Sequence, residues 1–121
     1  MTLSREDLAL LDRTQVVQIE TTSAKGRKHL VAIWVVVDGS DAFARSYLGE
    51  TARWYREIVA RPGALVIDSR RIPVKSVVAT DADSVRRTSE GYKKKYPTSR
   101  SVGAMQKPEI LATTVRLVEI S

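Results

Sequence analysis

Polar and hydrophobic residues alternate in two segments of this chain, which is the pattern of half-buried β-strands. In QVVQIETTS, Val17, Ile19 and Thr21 fall on one face and polar residues fall on the other. The closing segment ATTVRLVEI alternates in the same way. A period of two residues places one face toward the core and the other toward water, so both segments are predicted to be strands.

A continuous hydrophobic run, LVAIWVVV, covers Leu30–Val37 and ends at a DG pair. The run predicts a strand covered on both faces, followed by a hairpin into DAFARSY. The segment ALVIDSRRIPVKSVVAT predicts a second hairpin that turns at Asp68–Arg70. Because Pro73 has no N–H group, the returning strand is expected to lie at a sheet edge or to contain a bulge.

Three segments have the features of α-helices. SREDLALLD begins with Ser4, whose hydroxyl is expected to cap the first helix. GETARWYREIVARPG is predicted to start with a cap at Thr51 or the residue before it and to end at Pro62. DADSVRRTSEGYKKKY is the third helix, and PTSRSVGAMQKPE after it is a loop or a broken turn. The apolar stripe of the second helix consists of Trp54, Tyr55, Ile58 and Val59.

The predicted order is helix, three strands, helix, two strands, helix and strand. Short strands joined mainly by hairpins argue against a doubly wound parallel sheet. The fold class predicted is therefore mainly β with α (α+β): a six-stranded antiparallel β-barrel, closed or split, with peripheral helices. A length of 121 residues suits one domain over positions 1–121.

Composition narrows the possible chemistry. The chain has no cysteine and one histidine, His29, which excludes a familiar zinc site and disfavours a Ser-His-Asp triad. The net charge of +6 favours an anionic partner. No apolar run is long enough to span a bilayer, and the amino terminus lacks a signal core, so no membrane association and a cytoplasmic location are expected.

The segment RSYLGETARWYREIVARPG, from Arg45 to Gly63, is the best candidate for a binding site. A strand end, a glycine turn and a helix start together present free N–H groups, a hydroxyl and arginine forks that suit phosphate. The same pattern also fits an amphipathic helix with a solvated basic face. Both interpretations remain open at this point.

The ordered set GRKHLVAIWVVVDG, ARSYLGETARWYREIVARPG and TTVRLVEI resembles the pyridoxamine 5′-phosphate oxidase-like, FMN-binding split-barrel superfamily. It most resembles the DUF2255-type branch near the deazaflavin-dependent nitroreductases. The resemblance runs from about Val17 to Ile120 and rests on the order of the motifs, since no single motif is as specific as a metal-ligand signature.

The resemblance implies a six-stranded split barrel that forms a homodimer, with FMN or a deazaflavin coenzyme between the subunits. It also implies an oxidoreductase that transfers hydride to a small organic substrate. The cofactor itself carries the hydride, so no catalytic residue is assigned. The phosphate is expected at the strand end and helix start, and the ring against the tryptophans and Tyr55. The cofactor-binding residues implied are Arg45, Ser46, Gly49, Thr51, Arg53, Trp54, Tyr55, Arg56 and Trp34.

Two alternatives to this function remain open. One is a split-barrel module without redox activity that binds another ligand or serves to dimerise. The other, less favoured, is nucleic-acid binding by RRTSEGYKKKYPTSR, in which Lys93–Lys95 would meet phosphates while Tyr92 and Tyr96 met bases.

Overall fold

The computed structural model describes residues 2–120. It contains seven strands, three longer helices and two short ones. The strands are β1 (Val17–Thr22), β2 (Lys28–Ile33), β3 (Val35–Asp38), β4 (Asp41–Ala44), β5 (Gly63–Ile67), β6 (Arg70–Val78) and β7 (Val115–Glu119). The helices are α1 (Arg5–Arg13), α2 (Arg53–Ala60), α3 (Ala82–Lys95), α4 (Ser101–Ala104) and α5 (Pro108–Leu111), with a 3-10 turn at Gly49–Thr51.

All seven strands form one antiparallel sheet in the order β2-β1-β5-β6-β7-β4-β3. The two edge strands, β2 and β3, are consecutive in the chain and are separated by Trp34 alone. The sheet therefore curls until its two edges meet in one bent segment. The result is a split barrel, as predicted.

The strand count differs from the six predicted because the hydrophobic run 30–37 is divided at Trp34. The expectation that this run is covered on both faces holds only for its second half. In β3, Val35 faces the barrel interior and Val36 the outer helices, and both are buried. In β2, Leu30 is 50% exposed, because it lies on the face of this edge strand that is turned away from the barrel interior.

Pro73 was expected on an edge strand or a bulge, and this prediction is wrong. Its strand, β6, lies inside the sheet between β5 and β7. Pairing of β6 with β7 begins only at Val74, opposite Glu119. Pro73 pairs with Ala64 of β5 on its other side. The missing N–H group is tolerated because Pro73 stands where the neighbouring strand has already ended.

The start of the second helix was also predicted wrongly. The 3-10 turn precedes α2, whose N-cap is Ala52 and carries no side-chain hydrogen bond. The Thr51 hydroxyl donates instead to the carbonyl of Leu48 at 3.1 Å. The apolar stripe differs as well, since α2 buries Trp54, Glu57 and Ile58 while Val59 is 48% exposed. By contrast, Ser4 caps α1 as predicted, accepting from the Asp7 N–H at 3.1 Å.

The hydrophobic core has two parts, one on each side of the sheet around β3 and β4. The barrel interior is filled by strand residues and closed by Leu8 and Leu11 of α1 and by Trp54 and Ile58 of α2. On the outside, Phe43 and Val36 pack against α3, α4 and α5. The segment 97–109, expected as a loop or broken turn, contains α4 and part of α5, and its apolar residues pack in this outer part of the core. Its buried contacts come from Val102 and Met105, with Ile110 just beyond.

Lys95 makes the stability of the fold depend on pH. Its ammonium donates to the carbonyls of Leu11 at 2.8 Å and Val35 at 2.6 Å, and burial lowers the pKa of Lys95 from 10.5 to about 8. Between these values the unfolded chain binds more protons than the folded chain, so the free energy of unfolding rises with pH. Burial raises the pKa values of Tyr92 and Tyr96 above 10.0, so stability falls again once the tyrosines of the unfolded chain ionise.

Urea denaturation measured at a series of pH values is expected to show this dependence. The free energy of unfolding should rise above about pH 8 and fall above about pH 10. Lys95→Met is expected to abolish the rise, whereas Lys94→Met, at an exposed neighbouring position, leaves it in place. A rise that persists in Lys95→Met would refute the assignment.

Within residues 2–120, no helix is long and apolar enough to cross a membrane.

Candidate functional site

A small cavity of about 180 Å³ lies where the bent segment at Trp34 meets the start of α2. Most of its wall is hydrophobic or aromatic, and it combines residues of β2, the end of β4, α2 and the α4 region. The lining residues are Ala32, Ile33, Trp34, Arg45, Tyr47, Trp54, Ser101 and Met105. Three of the nine residues predicted to bind a cofactor therefore meet in one cavity: Trp34, Arg45 and Trp54.

The two tryptophan side chains of the cavity are each in contact with a neighbouring tyrosine ring. Trp34 stacks on Tyr96 with ring centroids 4.0 Å apart and an interplanar angle of 7°. Trp54 meets Tyr55 edge to face at 6.2 Å. Only Trp54 of this second pair lines the cavity. Rings fixed in this way form a rigid apolar wall of the kind on which a planar ligand can pack.

Arg45 is 2% exposed, although it follows directly after β4. Its guanidinium donates to the hydroxyl of Thr114 at 2.8 Å, to the carbonyl of Val85 at 2.8 Å and to that of Met105 at 3.3 Å. Its backbone N–H donates to the Tyr92 hydroxyl at 3.1 Å. The side chain thus joins β4 to α3 and to the segment after α4, a structural role that the sequence did not predict.

No described carboxylate forms a salt bridge with Arg45. All three acceptors of its guanidinium are neutral, and burial lowers the pKa of Arg45 from its usual value. A buried cation whose partners are neutral leaves a positive potential around it, because its charge is poorly screened. The wall of the cavity at Arg45 is therefore favourable to negative charge.

The turn after Arg45 is closed on itself. The Ser46 hydroxyl donates to the Gly49 carbonyl at 2.7 Å, and the Gly49 N–H donates to the Ser46 carbonyl at 3.0 Å. Gly49 has a φ of +74°, which favours glycine. The backbone N–H of Ser46 donates to Thr113. Ser46, Gly49 and Thr51 thus make their described hydrogen bonds within the protein and lie outside the lining of the cavity, and their role toward a ligand stays a prediction.

The remaining predicted residues, on α2, point in different directions. The backbone N–H groups at its first turn have no side-chain cap, which leaves them available to an acceptor. Arg56 is exposed and lines neither the cavity nor the neighbouring clefts. Arg53 lines a separate cleft of about 580 Å³ with Ser23, Lys25, Gly26, Arg27, His29 and Glu57. The residues predicted to bind one cofactor are thus divided between two sites, one on each side of the start of α2.

The contact between His29 and Glu57 was not predicted from the sequence. Glu57 is buried on α2, and its carboxylate accepts from the Thr21 hydroxyl at 2.7 Å and lies 3.1 Å from His29 Nδ1. One signal was present. Glu57 lies about 60° from Trp54 on the helical wheel, beside the buried stripe, so a polar partner for it on the strands was to be expected.

The basic segment on α3 does not have the arrangement that single-stranded nucleic acid requires. Tyr92 is fully buried and Tyr96 is 6% exposed, so neither ring is available to stack on a base. Their hydroxyls donate to the carbonyls of Trp34 and Gln15. Lys93 and Lys94 are exposed, as a solvated helix face would have them.

Structures of similar fold come from proteins with several kinds of ligand. The heme storage protein HutZ of Vibrio cholerae has a TM-score of 0.71 at 13% identity, covering 100% of this chain and 92% of its own. A Listeria innocua protein provisionally named a pyridoxamine 5′-phosphate oxidase has a TM-score of 0.63 at 18% identity, covering 93% and 87%. An F420-H2 dependent reductase, FDR-A, has a TM-score of 0.63 at 19% identity, covering 87% and 94%.

No curated protein matches this chain in sequence. The structural likenesses show that this chain has the split-barrel fold that the sequence resemblance implied. A family profile matches residues 7–117, nearly the whole chain. The chain therefore belongs to the family described as uncharacterized proteins conserved in bacteria, DUF2255.

Proposed function

We propose that this protein is a flavin- or deazaflavin-dependent oxidoreductase that acts on a small organic substrate. The observation that carries the proposal is the cavity itself, in which fixed aromatic rings and a buried guanidinium with no described carboxylate partner face one space. Such a site suits a planar molecule that carries or acquires negative charge. The F420-H2 dependent reductase of similar fold supports the same class of cofactor.

The chain's own residues would bind and orient the cofactor. When bound, a flavin or deazaflavin ring supplies the hydride chemistry itself. Trp34 and Trp54 provide apolar surface that excludes water from one side of the cavity. Arg45, held by its three neutral acceptors, places a fixed positive charge where negative charge is to be stabilised. Binding and orienting the cofactor in this way does not require any described group in the cavity to act as an acid or a base.

The cavity is too small to enclose a whole cofactor. Its volume of about 180 Å³ is below the roughly 300 Å³ at which pockets begin to enclose a drug-sized ligand. One chain therefore holds part of the ring system, and we propose that a second copy of the chain completes the site. Tyr47, which lines the cavity, is 53% exposed and Leu48 beside it is 72% exposed. Burial of these two side chains would favour association.

Leu48→Asp is expected to convert a dimer into a monomer, because a charge would be buried in the proposed interface. Light scattering coupled to size exclusion measures the mass directly. Val78→Asp is the matched control, since Val78 is an exposed apolar residue on β6, 65% accessible, outside the cavity lining. A wild-type protein that has the mass of one chain, or a Leu48→Asp variant that stays dimeric, would contradict the proposed interface.

The cavity can be blocked without disturbing the core, because Ala32 lines it from the exposed face of β2. Ala32→Trp is expected to weaken binding of FMN or deazaflavin by about tenfold or more, which corresponds to about 1.4 kcal/mol. Flavin fluorescence during titration measures the affinity. Leu30→Trp adds the same side chain on the same face of β2, outside the cavity, and is expected to bind normally. Equal affinity of the two variants for the cofactor would contradict the proposal that this cavity binds it.

A split barrel that binds a ligand without redox activity is the second candidate. It is favoured by the internal hydrogen bonds of Arg45, which occupy the donors of this lining residue. The heme storage protein of similar fold supports the same hypothesis of ligand binding without redox activity. This candidate would be favoured if the protein binds a ring ligand but bound flavin is reduced and reoxidised no faster than free flavin.

A further inference from the structure

A further cleft, which we call the α1 cleft, lies between the end of α1, the start of β1 and the turn that joins β5 to β6. Its volume is about 720 Å³, within the range of sites that hold small molecules. No residue lines both this cleft and the cavity of Trp34 and Trp54, so the proposed cofactor does not account for it. The lining residues include the polar Arg13, Gln18 and Asp68 and the apolar Leu10, Val16 and Val66.

The α1 cleft is bounded by elements that the fold holds together. Helix α1 buries Leu8 and Leu11 in the barrel interior. Arg70, the first residue of β6, donates to the Asp7 carboxylate of α1 at 2.8 Å. This ion pair connects the helix to the turn that contains Asp68. The cleft is therefore preformed in the folded chain.

Two opposite charges line the α1 cleft without pairing with each other. Arg13 lies in the last turn of α1 and Asp68 in the β5–β6 turn, and both are exposed. Neither forms a salt bridge with any described residue. Gln18 adds a side-chain amide, which can both donate and accept a hydrogen bond. The cleft thus presents one cation and one carboxylate to a ligand.

Much of the remaining wall is apolar. Val16 is 54% exposed, and Val66 is half-buried. Gln18 pairs with Val66, and the same antiparallel register carried two residues further places Val16 opposite Asp68. An apolar group of a ligand can therefore cover Val16 while a charged group of the same ligand reaches Asp68. Covering exposed apolar surface favours binding.

We propose that the α1 cleft binds a small zwitterion with an apolar side chain, either a free amino acid or a short peptide. The carboxylate of the ligand binds Arg13, whose guanidinium fork suits a carboxylate. The ammonium binds Asp68, and the apolar side chain packs on Val16. A ligand with a single charge would leave Arg13 or Asp68 without a partner. This inference goes beyond the proposed function and does not depend on it.

Titration of the wild-type protein with leucine and, separately, with leucyl-leucine tests the proposal in ¹H–¹⁵N correlation spectra, with no cofactor present. Because both charges of the cleft are exposed, each contributes modestly, and binding is expected at millimolar concentration. The amide signals of Val16, Gln18 and Asp68 are expected to move and to saturate. The ligand that binds more tightly identifies the source, since the two differ in the distance between ammonium and carboxylate. Signals that respond to neither ligand would overturn the proposal.

Removal of one charge at a time tests the assignment of the two ends. The N-acetyl form of the tighter ligand lacks the ammonium, and its amide form lacks the carboxylate. Each is expected to bind about tenfold more weakly than the zwitterion. Arg13→Gln is expected to weaken binding of the zwitterion by about the same factor and to leave binding of the amide form unchanged. Asp68→Asn is expected to weaken binding of the zwitterion and to leave that of the N-acetyl form unchanged.

Both variants are expected to fold. Arg13 is exposed, and asparagine adopts the φ of +52° found at Asp68 as readily as aspartate does. Arg5→Gln is the matched control, because it removes the same charge from an exposed position of α1 outside the cleft. It is expected to leave binding unchanged. Equal weakening by Arg5→Gln and Arg13→Gln would mean that only net charge matters and would overturn the proposed site.

Discussion

Arg45→Ala is expected to lower the free energy of unfolding by about 3 kcal/mol or more. The substitution removes a long side chain from a site that is 2% exposed and leaves a cavity between β4 and α3. It also leaves the Val85 and Met105 carbonyls and the Thr114 hydroxyl without their donor. Urea denaturation followed by tryptophan fluorescence measures the change. The sequence alone predicts only weaker binding of a ligand, so a large stability loss distinguishes the two accounts.

Arg56→Ala is the matched control, because Arg56 lies exposed on α2. Its cost is expected to be within about 0.5 kcal/mol, as for most surface substitutions. A cost below about 1 kcal/mol for Arg45→Ala would mean that the guanidinium is not bonded as described and would return Arg45 to the role of a surface anion ligand.

Gly63→Ala is expected to destabilise the fold by about 3 kcal/mol, because overpacking against backbone cannot be relieved by a rotamer change. Gly63 begins β5, and a methyl group there would overlap the carbonyl oxygen of Glu20 on β1 and approach the Ile58 side chain. Thermal and urea unfolding give the loss. The position needs glycine for close approach of two strands, and its φ is not in the left-handed region.

Gly103→Ala provides the comparison, since a methyl group at Gly103 would have no neighbour within 4 Å. Its effect is expected to be within about 0.5 kcal/mol. If Gly63→Ala were as mild as Gly103→Ala, β1 and β5 would have to be further apart than their pairing through Ala64 and Glu20 implies.

Local patterns were sufficient for much of the fold. The alternation of β1 correctly placed Val17, Ile19 and Thr21 inside, because a strand's facing depends on its own period of two. Helix α3 was also predicted from its own segment, and the structure adds that Asp81 caps it. The break at Trp34 was not predictable in the same way. It arises because one hydrophobic run forms both edge strands of the curled sheet. This depends on how all seven strands are ordered and not on the local sequence.

The candidate site was predicted less well, because its partners come from distant parts of the chain. Arg45 bonds to residues 40 and 69 positions away, and no local pattern indicates such acceptors. The sequence analysis also predicted that Arg53 and Trp54 bind the same cofactor. Successive residues of a helix differ by about 100° in direction, so the two side chains enter different sites. Trp54 lines the cavity that also contains Trp34, and Arg53 lines the separate cleft that contains His29.

The central claim is that the cavity between Trp34 and Trp54 holds the ring of a flavin-type cofactor. Titration of the wild-type protein with FMN and, separately, with a deazaflavin tests it most directly, with tryptophan fluorescence as the readout, because both tryptophans of the chain line this cavity. One of the two ligands is expected to quench that fluorescence with saturation at micromolar concentration. Tryptophan fluorescence that is indifferent to both ligands, in protein shown to be folded, would contradict the account.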